Sequence, residues 1–220
     1  MQIKTDSGNI QVSFSEALCF AVAQLGNVDD FRKGQGKQLE LHGALALCVV
    51  SIAAGHLSYR AMARFGKLRE AELVPLLNLK RAPSYSTLRR ILMGVDSEML
   101  REVLRQTSQK LLFGKPHQTV AVDAKTMRGC MTDQGAQVQV VAVTEQSTGV
   151  QLDAALCPGE GTELPTGRRL LAEVFSSTES VKLGTGDALY ADRRLARNTV
   201  GEGRDYLVKV KKTGLNCSKM

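Results

Sequence analysis

The chain has no tryptophan, and only four tyrosines and six phenylalanines in 220 residues. Its core must therefore be built from aliphatic side chains rather than large aromatic anchors. Histidine is also scarce: His42, His56 and His117 are the only three. The five cysteines (Cys19, Cys48, Cys130, Cys157, Cys217) are odd in number, widely spaced and without a Cys-x-x-Cys pair. No zinc-ligand spacing or disulfide framework is present, so the thiols are expected to be incidental ones in a reducing, cytoplasmic protein. The most apolar run, Leu41 to Gly55, is shorter than the roughly 20 residues of a membrane-crossing helix and is expected to be a core helix. The N-terminus lacks the basic region and apolar core of a signal peptide. The basic connector Gly34-Gln35-Gly36-Lys37 has no phosphate-loop pattern around it. No membrane association and no export are expected.

What remains is an ordinary globular composition, 43% hydrophobic and 23% charged, with a formal charge of +7. A mildly basic balance points toward a polyanionic partner. The charge is unevenly spread. Residues 1–115 hold 16 Lys and Arg against 10 Asp and Glu, whereas residues 116–220 hold 13 against 12. The basic surplus thus lies in the first half.

Periodicity divides the chain at the same place. Through residue 112 the pattern is helical, beginning with a short helix over Ser15–Leu25 that Ser15 would cap. Leu41, Leu45, Cys48 and Ile52 mark a buried helix, followed by shorter ones over Ser58–Phe65 and Glu70–Leu77. After Pro83, Ser84 or Ser86 would cap a helix that turns Leu88, Ile91 and Leu92 inward and Arg89 and Arg90 outward. Asp96 would cap the last helix, with Leu100, Val103, Leu104 and Leu111 on its core face. Such a set suits either a helix-turn-helix-like DNA reader or a plain bundle with solvated arginines. Beyond Gly114-Lys115-Pro116 the period becomes that of strands at Thr119–Val122, Val138–Val143 and Val150–Leu156. A helix from Glu163, a strand over Val181–Gly186, a basic helix over Asp192–Val200 and a strand over Tyr206–Val210 complete the order β-β-β-α-β-α-β. That order predicts an α+β chain: a helical region over residues 1–115, then a mixed sheet with flanking helices over 116–220.

Two carboxylates stand out in this second half. Thr-Val-Ala-Val delivers Asp123 from one predicted strand, and Val181–Gly186 delivers Asp187 from another. Placed side by side, two such carboxylates offer the hard oxygen donors that Mg²⁺ prefers and leave sites for phosphate oxygens. An Asp at a strand end is also an ordinary turn or cap residue.

The stretches Val-Asp-Ala-Lys-Thr-Met-Arg-Gly (122–129), Glu-Leu-Pro (163–165), Gly-Asp-Ala-Leu-Tyr (186–190) and Asp-Tyr-Leu-Val-Lys-Val-Lys-Lys (205–212) resemble the ISAs1-type insertion-sequence transposases, or H-repeat-associated proteins. The first half is similar to them as well, in Asp30-Phe31-Arg32 with Gly36-Lys37, Ser58-Tyr59-Arg60-Ala61-Met62-Ala63, and Ala82-Pro83-Ser84 with Thr87-Leu88-Arg89-Arg90. The match is collinear from about Asp30 to Lys212. The resemblance implies a DDE transposase with a ribonuclease-H-like fold, cutting and joining DNA at its element's terminal repeats and a target, possible as a homo-oligomer. It implies Asp123 and Asp187 as the first and second catalytic acids, sharing Mg²⁺ or Mn²⁺. Arg89, Arg90, Lys125, Arg128, Lys209, Lys211 and Lys212 become candidates for DNA contact; each is equally an ordinary solvated charge. Glu163 falls on a recurrent family position whose role stays open beside that of a helix-start carboxylate.

The family's third acid, a Glu on a helix beyond the strand at Tyr206–Val210, has no counterpart, because Thr213 to Met220 carries no carboxylate. The ribonuclease-H-like half is therefore expected to be incomplete, as a frameshift or premature stop would leave it, and inactive alone. Two other readings stand beside this one. The chain is a non-catalytic DNA-binding remnant, or it is a nuclease that takes its third acid from Glu163 or Glu145.

Overall fold

A computed structural model describes residues 13–34, 37–112, 118–131, 135–157, 159 and 161–209. The expected strand at Tyr206–Val210 is described up to Lys209; Lys211, Lys212, His117 and Cys217 lie outside the described residues. The chain divides into two compact units, one over Val12–Thr107 and the other over the described residues from Ser108 onward.

The first unit is helical: α1 (Phe14–Gln24), α2 (Leu41–Ala53), α3 (Tyr59–Leu68), α4 (Glu70–Leu76), α5 (Tyr85–Gly94) and the start of α6 (Ser97–Leu112). Its helix starts follow side-chain chemistry. Ser13, not Ser15, caps α1, because Glu16 three residues on completes a reciprocal box: Glu16 N–H donates to Ser13 Oγ and Ser13 N–H to the Glu16 carboxylate. Ser58 caps α3 and Ser84 caps α5. Asp96 accepts from the backbone N–H groups of Glu98 and Met99 at the start of α6. Helix α2 is buried around most of its circumference, through Leu41, Gly43, Ala44, Leu45, Ala46, Leu47, Cys48 and Ser51. Ile52 and Leu104, expected inward, are about half exposed at 49% and 56%. Burial pushes the Cys48 thiol up to about 12, leaving it protonated and inert.

The Asp30-Phe31-Arg32 motif proves to be a clamp on the loop ahead of α2. Arg32 donates through Nε and Nη2 to the two oxygens of Asp30, and through Nη2 to the Leu39 carbonyl at 2.8 Å. Those bonds, above all the side-chain one, hold the Asp30 carboxyl down at about 2. Phe31 packs where a Cβ on Gly94 would meet its ring at 2.4 Å, so a larger residue there would have to push the half-exposed ring aside.

The second unit is a five-stranded mixed sheet in the order β3-β2-β1-β4-β5. Its strands are β1 (Gln118–Met131), β2 (Gln137–Glu145), β3 (Gln151–Leu156), β4 (Val181–Gly186) and β5 (Asp205–Val208), with helices α7 (Glu163–Ser177) and α8 (Arg193–Gly201). β1, β2 and β3 form an antiparallel meander, while β4 lies parallel to β1 and β5 parallel to β4. One face is dry: Val120, Val122, Val141, Val143, Leu152 and Val181 pack with Leu170, Leu171, Val174 and Phe175 of α7. The α+β expectation and the element order hold. Strand β1 differs in one respect, since it runs eight residues past Asp123 along β2, while its pairing with β4 stops at Val122.

Gly43 gives a direct test of the helical core. In a helix interior, alanine is favoured over glycine by about 1 kcal/mol. Here, however, a Cβ would lie 2.3 Å from the Leu77 carbonyl oxygen, a backbone atom that cannot swing away. The clash should win, and Gly43→Ala should destabilise the helical unit by about 1–3 kcal/mol in urea unfolding followed by circular dichroism.

Candidate functional site

The site follows from strand register. Val122 of β1 pairs with Gly186 of β4, and Gly186 pairs with Val208 of β5. The residues that follow these pairs are Asp123, Asp187 and Lys209, in a row: Asp187 and Lys209 follow the carboxyl ends of β4 and β5, and Asp123 is the first residue of β1 beyond its pairing with β4. All three are exposed. The Lys209 N–H donates back to the Gly186 carbonyl, which keeps that end of β5 beside Asp187. Carboxyl ends of parallel strands are where open α/β sheets bind ligands.

Local chemistry holds each acid in place. Asp123 is fixed by the ladder with β2, opposite Ala142. Asp187 ends β4 because its carboxylate accepts from Leu189 N–H at 2.8 Å, capping a 3₁₀ turn over Ala188–Tyr190. The ordinary cap role anticipated for such an Asp is real, and it occupies one oxygen only. Gly186 is required beside it, since a Cβ there would meet Tyr190 Cβ at 2.9 Å.

A third carboxylate approaches from the helix. Glu163 opens α7, where the helix dipole favours its charged form by about 0.3–1 kcal/mol. Its carboxyl is nevertheless pushed above the usual range, first by burial and then by the negative charges of Asp187 and Asp123. Burial and like charge outweigh the dipole, so Glu163 lies in the same field as the two aspartates. Tyr190 shares this pocket. It is 1% exposed, its hydroxyl has no hydrogen-bond partner, and a Cβ on Gly167 would sit 2.9 Å from that oxygen. Gly167 and Glu163 are four residues apart on one face of α7. Burial, then Glu163 and Asp187, raise the Tyr190 phenol.

Glu145, the other acid considered for this site, is committed elsewhere. It is 2% exposed, and its oxygens accept from Ser147 N–H, Ser147 Oγ, Thr148 N–H and Thr148 Oγ1, closing the β2–β3 turn. Those bonds pull its carboxyl below the usual range against the opposing effect of burial.

Lys125 and Arg128 extend along β1 beyond Asp123, exposed on the hairpin with β2. Arg89 and Arg90 are exposed on α5 in the helical unit. Four arginines of the sheet unit, Arg168, Arg193, Arg194 and Arg197, meet at a cleft between α7 and α8. The sequence marks α8 as a basic helix carrying the last three, but nothing in it links them to Arg168.

Asp123 and Asp187 suit a hard divalent cation, since Mg²⁺ is held by one or two carboxylates together with water and phosphate oxygens. Among the described residues, no three His, Cys, Asp or Glu side chains converge into a metal-holding group. Glu163 stands within electrostatic reach of both aspartates.

Comparison with known proteins gives two findings. Residues 22–107, the helical unit from α1 into α6, match the family described as DDE_Tnp_1-associated. Among solved structures, the chain is similar to one described as "Cryo-EM structure of piggyBac transposase synaptic complex with hairpin DNA (SNHP)", at 13% identity and a TM-score of 0.38. That match takes in 91% of this chain and 48% of the other, so the chain spans about half the length of the protein it resembles. No curated protein sequence matches it. No helix among the described residues is long and apolar enough to cross a membrane.

The raised Glu163 carboxyl makes a pH prediction. The folded chain holds that proton more tightly than the unfolded chain, so its contribution to stability is full below the ordinary Glu range and lost as pH rises through the raised value. Glu163→Gln should therefore raise the thermal midpoint near pH 8 and leave it unchanged below about pH 4. Equal shifts at both pH values, read by circular dichroism, would remove Glu163 from the field of the aspartates.

Proposed function

We propose that this chain belongs to the DDE transposases, of the ISAs1 type, and acts on DNA by metal-dependent phosphoryl transfer. The observation that carries the reading is the register that sets Asp123 beside Asp187. Supporting it are the strand order 3-2-1-4-5 with helical crossovers through α7 and α8, as a ribonuclease-H-like half requires, and a helical unit matching a DDE_Tnp_1-associated segment. In this reading the helical unit associates with DNA through Arg89 and Arg90, and the sheet unit carries the chemistry.

Asp123 and Asp187 would hold Mg²⁺ or Mn²⁺, with Glu163 as the nearest further carboxylate. A bound cation of this kind activates a water or 3′-hydroxyl and stabilises the leaving oxygen in an in-line displacement. The chain's own residues do the positioning. Lys209, in register beside Asp187, offers a cation to a phosphate, and Lys125 and Arg128 extend a basic track beyond Asp123. Lys211 and Lys212 would prolong the track past Lys209. A non-catalytic DNA-binding role is the second reading, favoured by the basic surplus of the first half, since phosphate contacts need no catalytic acid.

Strand cleavage of duplexes bearing the element's terminal repeats, with Mg²⁺ or Mn²⁺, tests both. Cleavage that falls about 10²-fold or more in Asp123→Ala and in Asp187→Ala supports the enzyme. Salt-sensitive binding without any cleavage would leave only the DNA-binding role.

A further inference from the structure

The geometry points to a phosphate-backbone binding site at the α7–α8 cleft, built from Arg168, Arg193, Arg194 and Arg197 and taking the same DNA duplex that lies over the carboxylate row. It rests on the DNA-directed reading above and adds a site outside the residues assigned there.

The cleft is lined by those four arginines with Asp192 and Asn198. Asp192 is its one carboxylate and is already committed. It caps α8 by accepting from Leu195 N–H at 2.9 Å, and it pairs with Arg168 Nη2 at 2.8 Å. Those bonds, led by the cap, hold its carboxyl below the usual range. No carboxylate among the described residues pairs with Arg193, Arg194 or Arg197, and all three are exposed. Arg168 is tethered from one side only: its Nε is buried without a partner.

Such a cluster is unfavourable by itself. Arg193 and Arg197 are four residues apart on one helix face, where like charges repel by a few tenths of a kcal/mol. The interior side of α8 needs none of them, since Leu195 and Thr199 supply its buried contacts. A polyanion removes the repulsion, and guanidinium groups match phosphate oxygens in a two-pronged geometry that lysine lacks. Chain length then ties the cleft to the acids. Asp192 is five positions on from Asp187, a reach of at most about 18 Å. Along a duplex that is about five base pairs at 3.4 Å each. The start of α8 therefore lies within about five base pairs' length of a phosphodiester at Asp187.

The test is equilibrium binding of the full chain to a labelled random-sequence duplex over a series of KCl concentrations, read by fluorescence anisotropy. The triple variant Arg193→Gln, Arg194→Gln, Arg197→Gln should bind at least about tenfold more weakly. Its slope of log affinity against log salt should fall by about 2–3, at roughly 0.9 per lost phosphate contact. The Arg→Lys triple should keep the slope and lose only part of the affinity. A control triple, Lys67→Gln, Arg69→Gln, Lys182→Gln, removes equal charge elsewhere and should bind more tightly than the α8 triple. Unchanged affinity and slope in the α8 triple, with binding by the wild type intact, would overturn this site and leave the proposed function standing. Absence of salt-dependent binding by the wild type would overturn both. Matching thermal midpoints for the variants exclude misfolding, because the substituted side chains are exposed.

Discussion

The parallel pairing of β1 with β4 is the constraint on which the rest of the sheet unit depends. The two strands are far apart in sequence, and closing them costs chain entropy before any contact rewards it. The pairing survives because α7 seals it on one face and because β4 carries glycine where bulk is excluded. A Cβ on Gly184 would meet Phe175 Cζ at 3.0 Å, so glycine there lets β4 lie under α7 without displacing that ring. Side chains then pin the register. Thr185 Oγ1 donates to the Val120 carbonyl and accepts from Gln146 Nε2 at 2.7 Å. Arg204 gathers the far end by donating to the carbonyls of Phe175, Glu179 and Val181. A slip of one residue would send Asp123 and Asp187 to opposite faces.

From that register the candidate site follows without further adjustment. β1 remains paired to β2 beyond Val122 while β4 turns away at Asp187, so the sheet loses a strand on one side at the level of the two acids. The space so opened is bounded by β1, by the 3₁₀ turn that Asp187 caps, and by the first turn of α7. Tyr190 fills its floor against Gly167 and Gly186, which explains a dense packing of small residues around a large buried ring.

Much of this was legible in the sequence, and the illegible parts share a cause. Period 2 at Val120 and Val122, helical period at Leu170, Leu171 and Val174, the choice of Ser84 or Ser86 as a cap, and the cap at Asp96 are local signals, and each element lies where they place it. The two aspartates could be paired because strand order places their strands together. Periodicity ends strand β1 at Val122 because Lys125 to Gly129 is polar; the strand stays extended beyond Asp123 through its non-local partner β2. Leu104 and Ile52 carry apolar side chains at helical spacing but fall on faces that nothing covers closely. Glu163 looked like a helix-start carboxylate since the charges that oppose its ionisation come from residues 40 and 24 positions away. Arg204 and the meeting of Arg168 with α8 depend likewise on contacts that no local pattern encodes.

The charge arrangement of the sheet unit carries one more consequence. Its acids and bases nearly balance in number, and while Arg168 pairs with Asp192 and Arg169 with Glu173, the acids around β1 and β4 and the arginines of α8 are kept apart. No ion pair among the described residues joins a Lys or Arg to Asp123, Glu163 or Asp187, and the α8 arginines have no carboxylate of their own. Charges serving stability alone would gain by pairing, however modestly at a surface. Held separate, the acids repel a phosphate until a cation sits between them, whereas the arginines attract one at once. Under the function proposed above, binding of the backbone would then be independent of the metal and any chemistry would not. Nucleic acid would dock on α8 first, and the carboxylate row would accept its phosphodiester only once a divalent ion had offset the repulsion.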